Sequence, residues 1–89
     1  MNKKLTFIKN QIAEILTSGR TNSLKVVNDA MCMPSFAVFS SHLLQRSLNG
    51  EQFPVDVEEL YINSEDWERY YNLLIIEVVE NFITTNHHA

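Results

Sequence analysis

The sequence predicts an all-α fold, a compact bundle of four to five helices with a long, broadly apolar C-terminal helix. Three observations carry this. Only two glycines and two prolines interrupt 89 residues, too few for the tight turns of a small β-barrel. Apolar residues recur at spacings of three and four along most of the chain. Hydrophobic residues make up 45% and charged residues 20%, which excludes wholesale disorder. At this length residues 1–89 form a single domain, and one core can bury about 64% of the unfolded surface.

The first helix is read from Leu5, Ile8, Ile12 and Ile15, with Leu16 beside them and Lys9, Asn10, Gln11 and Glu14 opposite. This is an amphipathic helix of about four turns, with Gly19 as its left-handed stop. Arg20-Thr21-Asn22-Ser23 is a polar loop, in which Asn22 or Ser23 can accept from the first free N–H groups of a second helix. That helix carries Leu24, Val27, Ala30 and Met31, and Met33-Pro34 ends it. Pro34 and Ser35 suit the opening of a third helix. Its buried stripe is Phe36, Phe39, Leu43 and Leu44, with Ser40, Ser41, Gln45 and Arg46 outside, and Asn49-Gly50 closes it. Phe53-Pro54-Val55 is an irregular, partly buried connection. Asp56 with Glu59 three residues later has the form of a capping pair for a short helix over 57–62. The alternation of Val55, Val57 and Glu58 also fits a strand.

The last element is the clearest. Asn63-Ser64 offers an N-cap, Glu65 and Asp66 suit the positive end of a helix, and apolar residues continue to Ile83. β-Branched Ile75, Ile76, Val78 and Val79 favour a strand by propensity, but helical spacing over twenty residues outweighs that. On a helical wheel Trp67, Tyr71, Leu74, Ile75, Ile76, Val78, Val79, Phe82 and Ile83 cover roughly 200°, about twice what one core requires. Two readings fit: a helix through the centre of the bundle, or a helix shared with a second subunit. Both place Tyr71, Leu74, Ile75, Val78 and Phe82 against apolar surface. Trp67, Tyr70 and Tyr71 stand among acids at the start of this helix, a composition common at interfaces. Trp67 equally suits a core anchor beside a solvated first turn.

The net charge of −4 is unevenly spread: residues 1–50 sum to +4 and residues 51–89 to −8. The two halves can neutralise each other across the fold or across a dimer. Alternatively the acidic half meets a basic protein surface, or the basic half meets nucleic acid.

Motifs for catalysis and metal binding are missing from the sequence. There is no Cys-x-x-Cys, no His-Glu-x-x-His and no acidic calcium loop. With two glycines no phosphate-cradling loop forms, and Asn49-Gly50-Glu51 is a turn. His87 and His88 belong to a frayed tail, and His42 reads as a partly exposed helix residue. Cys32, between Met31 and Met33, reads as a small buried hydrophobe at a helix end. The expectation is a protein that is not an enzyme and has no cofactor or metal. One cysteine suits a reducing, cytoplasmic setting. No apolar run reaches the ~18 residues a membrane span needs, and residues 1–4 lead into no signal-like core.

One segment carries a resemblance. From Val38 to Pro54 the chain resembles the end of a repressor-type helix-turn-helix, in which the recognition helix ends in a glycine followed four residues later by proline. Gly50 and Pro54 have that spacing. The resemblance implies that Ser40, Ser41, His42, Gln45 and Arg46 face a major groove. It covers about 17 residues and departs upstream, where Pro34 would fall inside the preceding helix. Arg46 is the one firm cation on that face, whereas DNA affinity rests on several phosphate contacts.

The expected function is therefore a small regulator or inhibitor, of the adaptor, antirepressor or immunity-protein kind, that binds another protein and pairs as a homodimer. Trp67, Tyr70, Tyr71, Leu74, Ile75, Val78 and Phe82 are the expected interface residues. Glu58, Glu59, Glu65, Asp66 and Glu68 are the acidic rim that steers a basic partner. The alternative is a dimeric helix-turn-helix DNA-binding regulator using Arg20, Lys25, Ser41, Gln45 and Arg46.

Overall fold

In the computed structural model, residues 2–20 and 22–86 are described, so the expectations for His87, His88 and Thr21 lie outside the described residues. Five helices follow in order: α1 (Lys3–Thr17), α2 (Ser23–Met31), α3 (Phe36–Leu48), α4 (Val57–Ile62) and α5 (Ser64–Asn86). The all-α bundle expected from the sequence is what forms, and no strand occurs among the described residues. None of these helices is long and apolar enough to cross a membrane.

Short polar side chains set the helix starts. Asn2 accepts from the Lys4 and Leu5 amides, and Asn22 from Leu24 and Lys25. Ser35 accepts from Val38, and Asp56 from Glu58 and Glu59. Each satisfies N–H groups that have no partner inside the helix. Asp56 therefore settles the choice at Val55–Glu58: once its carboxylate caps two amides the backbone turns into α4. Gly19 and Gly50 take positive φ, +68° and +106°, where a Cβ would be strained.

Asn63 behaves differently from the expected cap. Its side chain donates back to the Glu59 carbonyl oxygen at 3.0 Å, while its own carbonyl oxygen accepts from the Asp66 and Trp67 amides. α4 and α5 thus meet at a one-residue corner.

α5 touches all four other helices, while α1 packs on α2 and α3 on α4. Two helical pairs therefore flank one central helix, which favours the first reading of the wide apolar face. The core comprises Phe7, Ile8, Ile12 and Leu16 of α1, Val26 of α2, and Phe36, Phe39 and Leu43 of α3. Val57 and Leu60 of α4 complete it with Tyr71, Ile75, Val78 and Phe82 of α5.

Three further expectations about burial need correcting. The buried stripe of α1 includes Phe7, because the Phe53 ring meets it edge-on with centroids 5.6 Å apart, and Ile15 is left exposed. Ser40 is buried rather than outside, its hydroxyl donating to the Phe36 carbonyl oxygen at 2.7 Å. Cys32 is exposed at the C-cap of α2 rather than buried.

Candidate protein-interaction surface

The α4–α5 corner collects apolar and acidic groups. Tyr61 and Ile62 close α4 and are exposed, Ile62 to 69%. Tyr70, one helical repeat into α5, is also exposed and lies against Trp67, with ring centroids 5.8 Å apart. Glu58, Glu65 and Asp66 stand exposed around them. None of these three makes an ion pair among the described residues. Rigid rings amid unpaired carboxylates provide apolar contact area inside a negative field.

The other two rim residues are engaged within the fold. Glu59 pairs with Lys4 at 2.8 Å, and the Lys4 ammonium also stands 5.8 Å from the centre of the Trp67 ring. The Glu68 carboxylate crosses from α5 to accept the Phe36 amide at 2.5 Å, capping α3 from another helix. Its role is structural because that amide has no partner within α3.

The expected interface residues also divide. Tyr71, Ile75, Val78 and Phe82 are sealed in the core, and Trp67 and Leu74 are half-buried against it. Tyr70 alone of that set is exposed. Burial by α1, α2 and α3 removes the core members from any surface. In their place the outer face of α5 presents Leu73 and Ile76, 58% and 54% exposed. The wheel drawn from sequence counted Ile76 in the apolar arc and left Leu73 out. The surplus width of that arc signals Ile76 alone, and Leu73 lies outside it.

Beside Ile76 an apolar groove of about 250 Å³ runs between α2 and α5, lined by Val27, Ala30, Met31, Ile75, Val79 and Glu80. Met31 on its rim is 81% exposed.

No protein-family model, curated protein or solved structure matches this chain. Its function is read from its surfaces.

The residues of the nucleic-acid alternative do not form one surface of free cations. Arg20 pairs with Asp29 at 2.9 Å. Arg46 is held by Glu51 through two hydrogen bonds, one of them 3.0 Å from Nε to Oε1. It also lies 5.1 Å from the centre of the Phe53 ring. The Glu51 hydrogen bond raises the guanidinium pKa further above its ordinary value, against a smaller opposing effect of burial. Lys25, Ser41 and Gln45 are exposed. A four-residue link, 32–35, joins α2 to α3, but the two helices do not pack on each other.

Proposed function

We propose that this chain is a small non-enzymatic regulator or inhibitor that binds a basic surface of another protein through its α4–α5 corner. The observation that carries this is the exposure of Tyr61, Ile62 and Tyr70 beside the unpaired carboxylates of Glu58, Glu65 and Asp66. Carboxylates at a rim accelerate encounter with a cationic partner, and buried rings and aliphatic side chains then slow its departure. In kind this matches an adaptor, an antirepressor or an immunity protein. A homodimer is part of the same reading. The free, exposed Cys32 thiol suits the reducing cytoplasm.

The test is capture from lysate of the source organism on tagged protein, with and without nuclease, read by mass spectrometry and by nucleic-acid staining. A protein partner retained stoichiometrically after nuclease, and lost with Ile62→Asp or with Glu65→Lys/Asp66→Lys, supports the reading. Recovery of DNA, with protein lost after nuclease, overturns it in favour of nucleic-acid binding. Retention that ignores these substitutions overturns the choice of corner.

A further inference from the structure

The outer face of α5 repeats every three and four residues. Arg69, Leu73, Ile76 and Glu80 are all exposed and lie along one line of the helix, at the spacing of a seam that packs against another helix. The two apolar residues are in the middle. A cation and an anion stand at the ends, each one turn from its apolar neighbour.

Neither end charge has an ion pair or a side-chain hydrogen bond among the described residues. The four ion pairs there are Lys4–Glu59, Lys9–Glu77, Arg20–Asp29 and Arg46–Glu51. Glu80 also lines the apolar groove against α2, together with Ile76, so the seam and the groove form one continuous surface.

This arrangement is complementary to itself. In an antiparallel pair with its two-fold axis between Leu74 and Ile75, Leu73 of each copy stands opposite Ile76 of the other. In the same register Arg69 stands opposite Glu80, and symmetry forms that charge pair twice. A parallel pair would set Arg69 against Arg69 and Glu80 against Glu80. The two-fold also brings like flank to like flank, so the α2 flank of both copies, with exposed Met31, falls on one side of the pair.

We infer that α5 docks antiparallel on α5 of a second copy of this chain through Arg69, Leu73, Ile76 and Glu80. The inference rests on the homodimer part of the proposed function and supplies its register. It uses the middle of α5, whereas the partner-binding corner lies at one end.

The test is sedimentation equilibrium across a concentration series, with circular dichroism to verify folding. Wild type is expected to form a dimer that weakens as salt rises. Arg69→Glu alone and Glu80→Arg alone should each raise the dissociation constant at least about tenfold, because both end pairs become like-charged. Mixing the two single variants should restore association as a heterodimer, and the double swap Arg69→Glu/Glu80→Arg should restore the homodimer. Ile76→Asp should leave folded monomer. A folded wild type that stays monomeric at every concentration overturns the inference. A dimer indifferent to both charge variants overturns its register. Capture of a protein partner by the Ile76→Asp monomer separates the two proposals, since the corner reading then stands whatever the dimer does.

Discussion

The Tyr71 hydroxyl donates a 2.8 Å hydrogen bond to the Pro34 carbonyl oxygen, tying α5 to the link between α2 and α3. Proline has no N–H to anchor that link, so its carbonyl is the group through which α5 holds it. The Tyr71 ring also meets Phe36 and Phe39, with centroids 5.2 and 5.0 Å away. One residue thus fixes the approach of α3 to the central helix by packing and by a directed bond.

Tyr71→Phe should retain the ring contacts and lose the hydrogen bond, destabilising the fold by about 1 kcal/mol. For a domain this small that is a fall of roughly 4–8 °C in melting temperature. The substitution should also change the alkaline limb of stability. Burial, reinforced by the Glu68 charge, pushes the hydroxyl up to about 12, against about 10 in the unfolded chain. Because the folded-state value is the higher one, this contribution is fully present below pH 10 and is lost as pH rises to about 12. Urea titrations from about pH 9 to about pH 12 should show a steeper loss for wild type than for Tyr71→Phe. Parallel losses would show that Tyr71 is not the responsible group.

Glu68 gives a second stability prediction. Its carboxylate accepts the first free amide of α3, a charge-assisted bond placed at the positive end of a helix. Glu68→Gln keeps an acceptor and should cost about 0.5–1 kcal/mol, whereas Glu68→Ala leaves the amide unpaired and should cost about 1–2 kcal/mol. Chemical denaturation of the two variants checks the order. If Glu68 served only as a surface charge, both would fall within about 0.5 kcal/mol of wild type.

The same residue illustrates what the sequence carries. The starts of α2 and α4 were legible because caps are local: Asn22 and Asp56 stand within three residues of the amides they satisfy. The contact between Glu68 and Phe36 spans 32 positions, and no local pattern announces it. The breadth of the apolar arc on α5 was legible, but its division was not. Ile75 and Ile76 are neighbours within that arc, and only the placement of α1, α2 and α3 makes one core and the other surface. α1 was legible in Ile8, Ile12 and Leu16, all of them core, whereas Phe7 joins that stripe beside the Phe53 ring from a distant loop and Ile15 is left outside.

Arg46 separates the two functional readings. Its guanidinium is engaged by Glu51 and lies over Phe53, with its side chain about half exposed. Arg46→Ala should therefore cost roughly 0.5–1.5 kcal/mol of stability, mostly through lost packing on the ring. Capture of a protein partner through the α4–α5 corner should be unchanged. A nucleic-acid regulator would instead lose its ligand with this substitution, and its binding would fall steeply with salt.

The final prediction contrasts two positions on α5 that differ in what covers them. Val78 is 4% exposed within the core and Leu73 is 58% exposed. Val78→Asp would bury a carboxylate without a partner, at a cost of more than about 4 kcal/mol. That is much of the 5–15 kcal/mol (approximately) that holds a domain together. Leu73→Asp removes apolar surface already in water and should change monomer stability by no more than about 0.5 kcal/mol. Far-ultraviolet circular dichroism should therefore show an unfolded or barely stable Val78→Asp chain beside a folded Leu73→Asp chain. Denaturation must be performed at a concentration where both are monomeric, because self-association through Leu73 would add apparent stability to wild type alone. If Leu73→Asp unfolds the isolated monomer, the outer face of α5 is part of the core, and a surface seam on this helix is excluded.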